Sequence, residues 1–288
     1  MRILLFGASG YIGTEFINQF QNVNGIEVIC VSSRRPDGSS YSYRELSRMI
    51  VDMSPTVIIN CSAYVGGLSI INCENRKDMT IQSNIIFPQM LGEICNGSDI
   101  VFGHFSSGCI YNGYPDGGFK EADEPNFTFK SNNCSFYTGT KVLAEELLKD
   151  VPNKYIWRIR LPFDERNHPR NYLTKLMSFD TLVNCDNSIS NRRELVRACL
   201  ECIINGVPFG TYNLTNPGYI RAYEIVEMAK KILKLDKEFK YFEDSETFDE
   251  FRKIPTSNVI LNTDKLASVG IKMTPVHDSV EWSLKNWK

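Results

Sequence analysis

No run of apolar residues in the 288-residue chain approaches the roughly 18 that a membrane span needs. No block of lysine and arginine occurs either. The formal net charge is −2, which argues against a nucleic-acid or anionic-membrane partner. A disulfide framework is also missing, because the nine cysteines are odd in number and scattered. That usage suits a reducing compartment better than a secreted scaffold. Cys199 and Cys202 form a C-x-x-C without a second pair or spaced histidines, so no zinc site is expected. We find no internal repeat and no low-complexity linker. Ile3–Phe6 read as a strand, which leaves no room there for a signal or transit peptide. With 42% hydrophobic and 23% charged residues, the expectation is a cytoplasmic enzyme or binding protein of one large or two modest domains.

Strand and helix signals alternate along the first half. Ile3–Phe6, Glu27–Val31, Thr56–Asn60 and Ile100–Gly103 are short β-type runs. The stretches Thr14–Gln21, Arg44–Met53 and Asn75–Cys95 between them read as helices. A helix over Ser135–Lys149 and a strand at Tyr155–Ile159 follow. This alternation predicts an α/β protein with a Rossmann-like, doubly wound parallel sheet. From Pro162 onward, prolines punctuate shorter helices such as Glu194–Ile204 and Ala222–Leu233. The expected division is a dinucleotide-binding domain over residues 1–161 and a smaller substrate domain over 162–288. Some elements of the second are expected to cross back to the first.

The strongest local signal is R-I-L-L-F-G-A-S-G-Y-I-G, a strand running into Gly7, Gly10 and Gly13 ahead of a helix. A pyrophosphate must approach backbone N–H groups at such a helix start, and glycines leave it room. An acid often follows about 20 residues on to bind the adenosine ribose. Here the second strand ends in V-S-S-R-R, with Ser32, Ser33 and Arg34 in place of a carboxylate. A guanidinium beside hydroxyls favours a 2′-phosphate, so NADPH is the expected cofactor rather than NADH.

In F-Y-T-G-T-K, Tyr137 and Lys141 lie four apart on a predicted helix and share one face. A free phenol, with a pKa of about 10, is a poor acid–base group at neutrality. A neighbouring ammonium stabilises the phenolate and brings it closer to working pH. Together with the glycine loop and the serine pair of F-S-S-G-C-I-Y-N-G (105–113), the pair becomes a specific signal.

On these motifs the chain resembles the extended short-chain dehydrogenase/reductase family over essentially its whole length. The resemblance implies a catalytic group of Ser107, Tyr137 and Lys141, with Lys141 also binding the nicotinamide ribose. It implies that Gly7, Ser9, Gly10, Tyr11, Ile12, Gly13, Ser32, Ser33, Arg34, Cys61, Ser62, Ala63 and Leu161 line the cofactor. Gly66, Asn84, Asn171 and Arg193 are the implied substrate contacts beside Ser107. The family's dehydratases carry an Asp-Glu pair after the catalytic Thr. This chain has Gly108 and Cys109 there, which argues against dehydration. A serine, one residue, then Cys-Ile-Tyr is similar to the bifunctional epimerase/reductases of the family, those making GDP-fucose and nucleotide-rhamnose. R-I-R-L-P (158–162), N-H-P-R-N-Y-L-T-K (167–175) and Y-N-L-T-N-P-G (212–218) look closest to the rhamnose enzymes. Y-V-G-G (64–67) is more like GDP-fucose synthase. In the rhamnose enzymes the Lys closing the N-P-R-N segment partners the Cys in epimerisation, and Lys175 holds that position here.

The resemblance therefore implies 3,5-epimerisation and NADPH-dependent 4-reduction of a nucleotide-linked 4-keto-6-deoxy sugar. UDP is the favoured nucleotide, with dTDP and GDP open, as are the C2 substituent and whether C3, C5 or both invert. A ketone at C4 acidifies the flanking C–H bonds. Inversion there needs a base on one face and an acid on the other, roles for Cys109 and Lys175. A monofunctional reductase would not need both. A regulator that only senses NADPH would have no use for Ser107, Tyr137 and Lys141 together. By family analogy the apolar positions on 75–95 and 135–149 predict a homodimer.

Overall fold

The computed structural model describes residues 1–20, 23–67, 69–131, 133–252 and 254–288. Its strands are β1 (Arg2–Phe6), β2 (Glu27–Val31), β3 (Val57–Asn60), β4 (Val101–Ser107), β5 (Lys154–Ile159), β6 (Thr181–Val183), β7 (Gly210–Asn213) and β8 (Lys240–Phe242). The helices are α1 (Gly13–Phe20), α2 (Tyr43–Met53), α3 (Ile71–Asn75), α4 (Lys77–Ile81), α5 (Phe87–Cys95), α6 (Phe136–Leu147), α7 (Tyr172–Ser178), α8 (Arg192–Ile204), α9 (Ala222–Leu233), α10 (Ser245–Arg252), α11 (Asp264–Ser268) and α12 (Val276–Lys285). Six strands form one sheet in the order β2-β1-β3-β4-β5-β7, with β1 parallel to β2 and β3, and β3 parallel to β4. The expected α/β fold with a parallel sheet is present.

Contacts divide the chain into two units. One comprises Met1–Ser106, Phe136–Trp157 and Cys199–Thr211; the other comprises Ser107–Ser135, Arg158–Ala198 and Tyr212–Lys288. The division is interleaved, each unit drawing on three separate stretches of the chain. Residues 107–135 hydrogen-bond to the 257–262 segment, with Gly113 N donating to Asn258 O and Phe119 N to Ile260 O. The end of α8 returns to the first unit, where the Tyr155 hydroxyl donates to the carbonyls of Cys202 and Val207 at 3.1 and 2.7 Å.

In the first unit, β1 and β3 are buried on both faces, which explains their unbroken apolar runs. Leu4, Phe6, Leu46, Ile58, Leu91 and Phe102 belong to its core. The start of α2 is fixed by a capping box, Ser42 accepting from Glu45 N while Glu45 accepts from Ser42 N. Two expectations change. The long helix over Asn75–Cys95 is interrupted at Arg76, whose backbone is not helical, and again by a wide turn over Gln82–Ile86. Pro88 has no N–H with which to close an ordinary helical turn, and Phe87 N just before it donates to Gln82 O, five residues back. Strand β4 runs to Ser107 instead of ending at Gly103, so the serine pair lies within the strand. Helix α1 is described to Phe20; Gln21, its expected last residue, lies outside the described residues.

The second unit gathers Phe163, Leu173, Leu176, Val226, Val280 and Leu284 into its own core. Strands β6 and β8 make a separate parallel pair. A fully buried ion pair, Asp164 Oδ2 to Arg192 Nη1 at 2.6 Å, ties the loop after β5 to the start of α8.

Gly103 faces the fully buried Trp157 ring so closely that an added Cβ would overlap it. Gly103→Ala should therefore cost about 1–3 kcal/mol by overpacking. Urea unfolding should show a lower midpoint at an unchanged slope; an unshifted midpoint would mean that the ring can yield.

Candidate active site

The glycine loop is packed so tightly that side chains would not fit at two of its positions. Gly7 has φ of 77°, a left-handed conformation, and a Cβ there would stand 2.6 Å from Ser62 N. The loop thus lies in direct contact with residues 61–63, whose Cys61 N donates to Phe6 O at 2.9 Å. A Cβ on Gly13 would collide with the Gly7 carbonyl and Ala8. Gly10 N closes the turn onto Gly7 O at 2.9 Å, and α1 begins at Gly13 with its first N–H groups at this loop. Beyond the end of β2, Arg34 is held by Gly38 O at 3.1 Å and by Ser83 Oγ at 3.4 Å. Ser33, Ser40, Ser62 and Ser83 line a small pocket with it. Ser40 and Ser83 were not legible as site residues, because they come from separate loops and helices. No residue here supplies a carboxylate.

On α6, Tyr137 and Lys141 do share a face, with the ammonium 5.9 Å from the centre of the phenol ring. Lys141 is only 2% exposed and its Nζ donates to Phe105 O at 3.0 Å. Glu74 accepts from Phe136 N at 2.6 Å and so caps the helix start from a distant segment. Asn84, in the wide turn, is fully buried. Its Oδ1 accepts from Tyr64 N at 2.7 Å, and its Nδ2 donates to Tyr64 O and Thr140 Oγ1. Thr140 Oγ1 in turn donates to Tyr137 O at 2.7 Å. Asn84 therefore joins the loop after β3 to the turn that carries Tyr137. Gly66, in that loop, has φ of 67° and its carbonyl accepts from Asn72 Nδ2 at 2.8 Å.

Strand β4 adds His104, which sequence reasoning missed. Ser62 N and Oγ both donate to Asn60 Oδ1, which fixes the amide so that Nδ2 donates to His104 Nδ1 at 3.2 Å. The ring proton is then on Nε2. Burial, reinforced by the nearby Lys141 cation, holds the imidazole well below its ordinary pKa.

In the second unit, Ser107 ends β4 and its Oγ accepts from Cys109 N at 3.2 Å, within the short turn Gly108–Ile110. Cys109 is buried at 8% exposure. Gly108 lies against Leu261, where a Cβ would not fit. Lys175 is half-buried on α7. Asn171 caps that helix, its Oδ1 accepting from Leu173 N at 3.0 Å, while its Nδ2 donates to Asp164 and to Arg166 O. It is fully buried and orients the helix that carries Lys175. Arg193 is exposed, stacked 5.1 Å over Trp282 and 3.7 Å from Glu165. Leu161 adopts φ of 40°, unusual for a branched residue. The fold thus brings together the glycine loop with residues 61–63 and Arg34, Tyr137 with Lys141, and Ser107 with Cys109. Lys175, Asn171 and Arg193 stand on the loop and helices after β5. Among the described residues, no cluster of His, Cys, Asp and Glu could hold a metal and no helix is long and apolar enough to cross a membrane.

A parallel sheet, a glycine cradle at the start of α1 and a Tyr–Lys pair define a dinucleotide-dependent α/β protein. The chain belongs to the family described as the RmlD substrate binding domain, whose model matches residues 1–288. It is 31% identical to a bifunctional dTDP-4-dehydrorhamnose 3,5-epimerase/dTDP-4-dehydrorhamnose reductase of Arabidopsis thaliana, over 96% of this chain and 90% of that one. A trifunctional UDP-glucose 4,6-dehydratase/UDP-4-keto-6-deoxy-D-glucose 3,5-epimerase/UDP-4-keto-L-rhamnose-reductase of the same plant is 31% identical over 97% of this chain. The chain spans only 41% of that relative's length. In structure it is similar to the L780 UDP-rhamnose synthase of Acanthamoeba polyphaga mimivirus, with a TM-score of 0.89, 24% identity and 99% of each chain covered.

Because His104 is neutral in the fold and its pKa is lowered there, the unfolded chain binds the extra proton. Its contribution is constant above the unfolded value near 6.5 and turns destabilising as pH falls below it. Stability should drop by up to about 1.4 kcal/mol per pH unit from this group. His104→Asn should remove this loss, so the wild-type-minus-variant difference in stability should fall between pH 6.5 and 5 in chemical unfolding. A flat difference would count against the lowered pKa.

Proposed function

We propose that the protein is an NADPH-dependent epimerase and 4-reductase of a nucleotide-linked 4-keto-6-deoxy sugar, with UDP the favoured nucleotide. The observation that carries this reading is the join of Ser107 to Cys109. On this reading one turn at the end of β4 holds a hydroxyl for the C4 oxygen and, two residues on, a thiol for a neighbouring carbon. The bifunctional relative that aligns over nearly its whole length supports it, as does the match of Tyr137, Lys141 and Lys175 in position. A reductase without epimerisation is the second reading, favoured only by the wider family.

NADPH supplies a hydride when bound. The cradle of Gly7, Gly10 and Gly13 accepts the pyrophosphate, and Arg34 with Ser33, Ser40 and Ser83 takes the 2′-phosphate. The Lys141 ammonium steadies the Tyr137 phenolate electrostatically and holds the nicotinamide ribose. In epimerisation the Cys109 thiolate removes the proton beside the ketone, and Ser107 and Tyr137 hydrogen-bond the enolate oxygen. The Lys175 ammonium returns a proton on the opposite face, so the substrate's proton count is unchanged. In reduction Tyr137 gives its hydroxyl proton to the oxygen that becomes the C4 hydroxyl. Exposed Ile81, Leu143 and Leu147 on α4 and α6 support a homodimer.

Turnover in D2O separates the two readings. Wild-type protein should place deuterium at C3, C5 or both. Cys109→Ser has a far less acidic side chain; it should lose that exchange yet reduce a keto sugar supplied with its centres already inverted. Undiminished exchange in Cys109→Ser would leave a plain reductase. In the same assay Tyr137→Phe should lose reduction by about 100-fold or more while NADPH binding holds.

Cofactor choice is tested by Arg34→Ala. The ratio of kcat/KM for NADPH to that for NADH should fall by about 10- to 100-fold, the loss of one charge-assisted contact. An unchanged ratio would remove Arg34 from the cradle.

A further inference from the structure

Two side chains of α6, one turn apart, grip successive residues at the end of β4. Lys141 Nζ donates to Phe105 O at 3.0 Å. Ser106 Oγ donates to Glu145 Oε1. Lys141 and Ser106 are almost wholly buried, at 2% and 3% exposure. The spacing of 137, 141 and 145 continues one helical face, so the phenol, the ammonium and the carboxylate form a single stripe.

The two bonds divide the work. A lysine side chain has several rotatable bonds, so the place of its ammonium follows the place of the Phe105 carbonyl that it meets. The Phe105 carbonyl belongs to the last turn of pleat before Ser107 leaves the strand. The bond one residue further on pins that pleat, because Ser106 joins the strand to the same helix through a carboxylate. A serine that only filled space could be alanine; bringing a carboxylate to a buried hydroxyl carries a desolvation cost that packing alone does not require.

We propose that Ser106 and Glu145 are positioning residues, a clamp that sets the register of β4 on α6. The clamp aims the Phe105 carbonyl at Lys141 and fixes the point from which Ser107 departs. The inference rests on the reading of Tyr137, Lys141 and Ser107 as the reducing group. It predicts a particular signature: losing the clamp misplaces groups that act on the reacting carbonyl while leaving the glycine cradle and Arg34 untouched.

The test uses the full chain with Ser106→Ala, Glu145→Ala, the double variant and Glu145→Gln. Reduction of a UDP-linked 4-keto-6-deoxy sugar should show kcat lowered by about 10- to 100-fold in each single alanine variant. KM for NADPH should rise by clearly less than kcat falls, since the glycine loop and Arg34 stay in place and only the Lys141 contact to the cofactor shifts. The double variant should be no slower than the worse single one, because both remove the same bond. Glu145→Gln keeps an oxygen that accepts from Ser106 and should recover most of the loss. Single variants with wild-type kcat, or a double variant in which the two losses multiply, would overturn the clamp. Hydrogen exchange over residues 101–109 is read on the same proteins and should quicken in the alanine variants. If wild-type protein turns over no such sugar, the proposed function fails; quickened exchange then still supports the clamp, and unchanged exchange overturns it.

Discussion

A buried ammonium is the constraint on which the site depends. Taking the Lys141 charge out of water costs several kcal/mol after relaxation, and the structure must return that cost in placed dipoles. The Phe105 carbonyl is one such dipole, and it is available only because β4 runs on to Ser107. The same charge explains the state of its neighbour. His104 sits in the same strand, stacked on Phe102, and neither its burial nor the adjacent cation permits protonation. It serves instead as a neutral acceptor for Asn60, whose other amide atom orders the residues lying against Gly7. Cation, imidazole and glycine cradle thus belong to one buried polar run through the first unit.

The second unit solves a different problem with similar means. Lys175 stands on a helix of seven residues, too short to be stable by itself. Asn171 caps it and holds the Asp164 and Arg166 backbone through the same amide. Asp164 is in turn locked to Arg192, with both side chains buried. Removing one partner of such a pair would leave an uncompensated charge, at a cost of about 3–5 kcal/mol. The ion pair is therefore weak evidence for stability in itself and better evidence for a loop that must keep one shape. That shape sets where α7 begins.

The sheet was legible because its signals are local: apolar runs, glycines after the first strand, and a helical face bearing Tyr137 and Lys141. What was not legible depends on distance in sequence. Nothing in F-G-H-F-S-S tells that the strand continues through the serines, since β propensity is weak for Ser and the pairing with β3 reaches only His104. Asn84 and Asn171 are recognisable as special but not as buried; the chain does not announce that their amides close on Tyr64, Thr140 and Asp164. The interruption of the 75–95 helix left one clue, Pro88, which sat inside an otherwise helical pattern. Glu145 left another, because it extends the Tyr-x-x-x-Lys spacing by one more turn. The interleaved units were hidden for a simpler reason. Residues 107–135 are held by the 257–262 segment, a pairing that no local pattern encodes.

The serine pair shows why strand geometry matters to the proposed chemistry. Successive residues of a strand point to opposite faces, so Ser106 and Ser107 cannot do the same work. Ser106 faces α6 and bonds Glu145; Ser107 points the other way and accepts from Cys109 N. The thiol follows after a glycine, where an added Cβ would press on the Leu261 side chain. On the proposed reading this order has a chemical reason. Exchange beside the ketone must come before hydride transfer, because reduction removes the carbonyl that makes those C–H bonds acidic. The group that polarises the C4 oxygen and the group that takes the neighbouring proton must then be rigid with respect to each other, as a hydroxyl and a thiol on one capped turn are. A cysteine carried on a separate loop would have to find that geometry again in each turnover.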